Sequence, residues 1–146
     1  MRNRTMMFAC GAFLLAGMGA PVSAHVMLAE PAAKAGSDYV ARFRVGHGCS
    51  GSPTIALRIE IPPGILGAIP QPKPGWLLEI DHVDGRVSAV TWKGGKLAAD
   101  KPGEFAVTMR LANTPGRFAV PATQTCENAV VHWSDIAAPG NKTLLK

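Results

Sequence analysis

Charge, aromatic side chains and cysteine are all scarce in this chain, and each shortage excludes something. Only 17% of its 146 residues are charged and 6% are aromatic, with Tyr39 the single tyrosine. No basic run with interleaved aromatics occurs, so nucleic acid is not expected as a partner. Cysteine occurs three times and never as C-x-x-C, which removes the spacing of a compact redox or metal pair. No internal repeat or low-complexity segment stands out, and no stretch keeps a helical period. No nucleophile and base stand at a recognisable catalytic spacing. After the first 24 residues there is no second long apolar run.

What is present begins with an export signal. Arg2 and Arg4 supply a positive start, and Met6 to Ala20 form an apolar run of small residues. That run is too short to span a bilayer as a helix. Val22-Ser23-Ala24 places small residues at the positions that a cut after Ala24 requires. Cys10 lies inside the apolar run, too early for a lipoprotein site. The chain therefore divides into a signal peptide over 1–24, one domain over 25–135 and a flexible tail over 136–146. The cut removes Arg2 and Arg4 and lowers the formal charge of +5 by two. The product is expected in the periplasm or outside the cell, with no stable membrane insertion.

Cys49 and Cys126 survive the cut. In an oxidising compartment an even pair reads as one disulfide, and a metal or redox role is the alternative. The loop it closes is worth roughly 3–5 kcal/mol in the chain-entropy model.

The remaining chain alternates. In "TIALRIEI" from Thr54, Ile55, Leu57, Ile59 and Ile61 point one way while Ala56, Arg58 and Glu60 point the other. "EFAVTMRL" from Glu104 repeats the pattern with Phe105, Val107, Met109 and Leu111 inward. "HVMLAEP", "DYVARFRV", "WLLEI", "RVSAVTW", "RFAVPATQT" and "AVVHW" complete about eight strands. Pro62-Pro63-Gly64, Lys73-Pro74-Gly75, Asp84-Gly85, Gly94-Gly95, Lys101-Pro102-Gly103 and Pro115-Gly116 separate them as turns. Asp84-Gly85 suits a tight hairpin. The pattern predicts an all-β, Greek-key-like sandwich of two sheets.

The cut after Ala24 would make His25 the first residue of the mature protein. Its freed α-amine and its Nδ1 can then close a six-membered chelate ring on one ion. Nitrogen donors of this kind favour copper(II) in tetragonal geometry. The amine titrates near pH 7.7–8.0 when unperturbed, so copper must displace a proton. Two nitrogens are too few for a tight site, and a further ligand is expected from the fold. His47 is expected in a loop beside Cys49, His82 in solvent near the Asp84-Gly85 hairpin, and His132 on a strand surface. Alternation puts Ala129, Val131 and Trp133 on one face, so Trp133 is either a core residue or a shield over a metal. Trp76 and Trp92 are expected to pack.

The mature chain resembles the YcnI-like copper-binding domain family of exported bacterial proteins. The resemblance rests on "AHVMLAEPAAKAGSDYVARFRV", "HGCSGSPTIALRIEIPPGI", "PQPKPGWLLEI", "VTWKGG", "PGEF" and "VPATQTCENAVVHW", which run in family order from His25 to Trp133. It implies a β-sandwich that holds copper(II) by a single-histidine brace. His25 matches the brace residue, Glu104 in "GEF" the completing carboxylate, and Trp133 the tryptophan near the metal. The chain departs from the family in lacking a second acidic residue around "GEF" and a glycine at Asn128-Ala129, so Asp100 and Glu127 stand as alternatives to Glu104. The implied function is copper trafficking, delivery or buffering without catalysis. The implied partner is another periplasmic copper chaperone or a copper-importing membrane protein.

Three other readings compete. A histidine-brace copper monooxygenase needs a second histidine on the metal and usually a tyrosine, here only Tyr39. A blue-copper protein needs a free cysteine and a methionine after it, and no methionine follows Cys126. The last is an interaction sandwich that binds no metal.

Overall fold

The computed structural model describes residues 26–134 together with 137–138. The expected signal peptide and His25 lie outside the described residues.

Alternating sequence becomes strand throughout, and no helix occurs among the described residues. In chain order the strands are β1 (Val26–Leu28), β2 (Asp38–Val45), β3 (Thr54–Glu60), β4 (Ile65–Pro70), β5 (Leu77–Val83), β6 (Arg86–Leu97), β7 (Gly103–Leu111), β8 (Phe118–Ala119), β9 (Ala122–Cys126), β10 (Val130–Trp133) and β11 (Ala137–Ala138). They form a four-stranded sheet ordered β1-β2-β7-β4 and a five-stranded sheet ordered β10-β9-β3-β6-β5, with β11 and β8 paired apart. Every pairing is antiparallel. The chain changes sheet between β2 and β3, β3 and β4, β4 and β5, and β6 and β7. The expected sandwich with crossing connections is therefore present.

The core is the space between the two inner faces. Ala41, Phe43, Val45, Phe105, Val107 and Met109 line one side; Leu57, Ile59, Val90 and Trp92 line the other, all at most 1% exposed. Phe105 meets the Trp92 ring at 5.4 Å and the edge of Trp76 at 5.1 Å. Such pairs add to what area burial alone supplies. Trp92 Nε1–H donates to the Gln71 carbonyl at 2.9 Å, so its polar edge is satisfied in the interior.

Local chemistry explains where expectation and structure part. Asp84 and Gly85 both take positive φ, 51° and 74°, the twisted two-residue turn that joins β5 to β6. Gly94-Gly95, expected as a turn, instead lies within β6. A Cβ on Gly95 would stand 2.3 Å from the Trp76 ring, so glycine there lets the indole lie on the strand. The inward phase of β3 breaks at its start: register shifts between Thr54 and Ala56, a bulge that buries Thr54 in place of Ile55. β4 was not expected, because Gly67 and Pro70 disguise it; it is an edge strand with Pro70 at its end, where proline is tolerated. Pro121 splits "RFAVPATQT" into β8 and β9. Of the tail expected over 136–146 only residues 137–138 are described, and Ala137–Ala138 pair with Phe118–Ala119.

Cys49, in the loop after β2, is bonded to Cys126 at the end of β9, with Cα atoms 6.0 Å apart and a sequence separation of 77. Closing a loop of that length should stabilise the fold by about 4 kcal/mol. We expect C49S/C126S to lose roughly that amount in urea unfolding. A loss below about 1 kcal/mol would contradict the role assigned to the bond.

Candidate metal centre

The first described strand is short but firmly held. Val26 and Leu28 are buried, and β1 pairs Val26 with Val45, Met27 with Arg44 and Leu28 with Phe43. Beyond it, Ala29 N–H donates to the Arg42 carbonyl at 2.9 Å. The Arg42 guanidinium donates to Glu30 Oε1 at 2.8 Å, and the Tyr39 hydroxyl donates to the Glu30 carbonyl. Five consecutive residues, Val26 to Glu30, are thus tied to β2.

Glu104 is the second residue of β7 and faces out from the four-stranded sheet. It lies opposite Arg44, which itself lies opposite Met27. Arg44 therefore stands between β1 and Glu104 on that face. The Glu104 carboxylate is 3.5 Å from Arg44 and 3.7 Å from Arg42, and its backbone carbonyl accepts from Lys73 Nζ at 2.9 Å. The two alternative carboxylates are also exposed and paired, Asp100 with Lys101 at 3.8 Å and Glu127 with Lys96 at 2.6 Å.

Trp133 ends β10 on the edge of the other sheet. It lies opposite Ala122 and packs, partly buried, against the core. The alternation expected for "AVVHW" holds, with Val130 and His132 exposed. Glu104 stands on the four-stranded sheet and Trp133 on the five-stranded one. Trp76 and Trp92 pack as expected.

The histidines differ sharply. His82 is exposed, and His132 is exposed with Nδ1 3.1 Å from Thr123 Oγ1. His47 lies in the loop that leaves β2, and that loop is anchored on several sides. Gly48 N–H donates to Ala99, Cys49 carries the disulfide, and the His47 carbonyl accepts from Gln124 Nε2 at 3.0 Å. The ring Nδ1 is 2.9 Å from the Gly48 carbonyl. A carbonyl only accepts, so Nδ1 carries the hydrogen and, in the neutral ring, Nε2 carries the lone pair. Nε2 is buried and has no hydrogen-bond partner among the described residues. Gln124 is fully buried, donates also to Thr54 Oγ1 at 2.8 Å, and its Oε1 is likewise without a partner among the described residues. Sequence placed His47 in a loop and gave no sign that its ring nitrogen is enclosed. No three His, Cys, Asp or Glu side chains converge among the described residues.

The family described as Domain of unknown function (DUF1775) matches residues 25–146. The crystal structure of an uncharacterized protein from Nocardia farcinica, described as revealing an immunoglobulin-like fold, is similar at 28% identity and a TM-score of 0.65. The similarity covers 83% of this chain and 92% of that one. No curated protein matches the chain.

The clasp on β1 has a direct optical test. Burial first, and then the nearby Glu30 carboxylate, push the Tyr39 hydroxyl up to about 12, against an offsetting effect of Arg42. The folded state thus holds the proton more tightly than the unfolded chain, whose tyrosine titrates near pH 10. The stabilisation is complete below about pH 10 and is lost as pH rises towards 12. Because Tyr39 is the only tyrosine, tyrosinate absorbance should show a midpoint near 12 in the folded protein. A midpoint near 10 with the fold intact would contradict the clasp.

Proposed function

The chain belongs to the DUF1775 family, and on that premise we propose that its processed form is an exported copper(II)-binding protein that carries or buffers the ion without catalysis. The observation that carries the reading is where the family domain starts. It begins at His25, the residue that a cut after Ala24 would leave first. YcnI-like proteins carry this domain.

The chemistry follows from that position. A terminal histidine offers an amine and an imidazole in one residue, and the pair grips a divalent ion that prefers nitrogen. The chelate forms only after proteolysis, so the ion is acquired outside the compartment of synthesis. The clasp from Val26 to Glu30 supports the reading, because a tethered strand holds the terminal donors near one spot. The disulfide fits an oxidising compartment. Were an external one-electron reductant to convert the ion to copper(I), a site of nitrogen and oxygen donors would hold it less well. That would favour transfer to a thioether- or imidazole-rich partner, such as a periplasmic chaperone or a copper-importing membrane protein.

Absence of catalysis has its own support. The only tyrosine is at the far end of β2 from Val45, about 20 Å along the strand, and its hydroxyl is committed to Glu30.

A chain starting at His25 should bind one copper(II) ion. A chain with one extra residue before His25 should bind it more weakly by orders of magnitude, because its amine no longer shares a ring with Nδ1. Competition titration against a chelator checks this, and equal affinity of the two forms would defeat the brace. Oxidised sugars released from a polysaccharide with ascorbate would defeat the non-catalytic part.

A further inference from the structure

We propose that β5 is a self-pairing edge, along which two copies of this chain join antiparallel with Ile80 opposite the second copy's Ile80. The proposal does not depend on the copper reading.

The exposed apolar side chains are gathered on one flank. Seven large hydrophobic residues are exposed among the described residues, and five of them stand on two strands: Leu66 and Ile69 on β4, and Leu77, Ile80 and Val83 on β5. β4 ends the four-stranded sheet and β5 ends the five-stranded one. β4 also packs on β6, the neighbour of β5, so the two edges share a flank. Scattered apolar residues on a surface are ordinary, but a cluster of them along open edges marks a contact surface.

The sheet edges are not equally guarded. A free edge offers unpaired N–H and C=O groups to another strand, and proteins block it with short length, proline, lysine or a bulge. β1 has three residues and β10 four. β4 ends in Pro70, and its register shifts between Ile65 and Gly67. β5 has seven residues and neither proline nor lysine. The one irregularity in its pairing, between Asp81 and His82, leaves Ser88 of β6 over, so β5 itself runs regularly.

The strand that β5 fits is another β5. Alternation sends Leu77, Glu79, Asp81 and Val83 to one face and Leu78, Ile80 and His82 to the other. A two-fold axis through Ile80 sets Leu77 opposite the second copy's Val83, and Ile80 opposite its counterpart, with like faces together. That one register covers all three exposed hydrophobic residues of the strand. Glu79 then faces the second copy's Asp81. Neither acid is bare, since Glu79 is paired with Lys93 and Asp81 accepts from Arg58 at 2.7 Å. Each carboxylate brings its own cation to the contact, so the two edges meet without uncompensated charge. The two five-stranded sheets then continue as one.

The test uses the processed chain without metal, followed by sedimentation velocity over a range of concentrations. The unaltered chain should pass from one copy to two as concentration rises. I80K sets two ammonium groups against each other at the axis and should weaken dimerisation by at least about tenfold. V130K, which alters an exposed residue of β10, should leave it unchanged. I80C should cross-link to itself under mild oxidation and V130C should not, and thermal unfolding like that of the unaltered chain shows that the variants fold. A single copy at every concentration up to about 1 mM overturns the proposal. So does a dimer that I80K leaves intact, that V130K disrupts, or in which I80C fails to cross-link. A single copy that binds phosphatidylcholine vesicles, and loses them in I80K, also overturns it and gives the flank to a membrane surface.

Discussion

Three ladder pairs between β1 and β2 fix the first described residues of the domain in space. Val26 and Leu28 enter the core from one strand, Val45 and Phe43 from the other, and the same pairing carries β2 against β7. The burial of those side chains is what holds a three-residue strand in place, since so short a strand has little backbone pairing of its own. Arg42 and Tyr39 reinforce it from further along β2, through the side chain and the carbonyl of Glu30. The segment from Val26 to Glu30 is therefore held at a fixed place on β2.

One end of the sandwich is where its interior is least conventional. Core positions elsewhere are hydrocarbon, but here Thr54 and Gln124 are wholly buried beside the Cys49–Cys126 bond and the His47 loop. Buried polar atoms without partners weaken a fold unless something satisfies them. His47 Nε2 and Gln124 Oε1 are two such atoms among the described residues. The covalent cross-link nearby offsets part of that weakening by restricting the unfolded chain.

Much of the architecture could be read from the residues. Period-two alternation located the inner faces of β7 and β10, Asp84-Gly85 gave its hairpin, and the cysteine pair gave its bond. The bulge at Thr54 was hidden because a one-residue insertion leaves the composition of a strand unchanged while reversing its faces. β4 was hidden because an edge strand tolerates the glycine and proline that elsewhere mark turns. For the site, chemistry at a cleaved terminus singled out His25 unaided. Glu104 and Trp133 came from the family pattern alone, and alternation put Glu104 outward without revealing which arginines lie opposite it. That depends on the register between β2 and β7, strands separated by most of the domain. The anchoring of the His47 loop depends on Gln124 of β9 and on Ala99 in the loop after β6, and no local pattern encodes it.

An anomalous-scattering map at the copper edge, from crystals of the processed protein grown with one equivalent of copper(II), tests the central claim most directly. The account predicts a single peak beyond the start of β1, bonded to the free amine and ring of the first residue. A peak elsewhere on the sandwich, or a first residue other than His25 in the density, would contradict it.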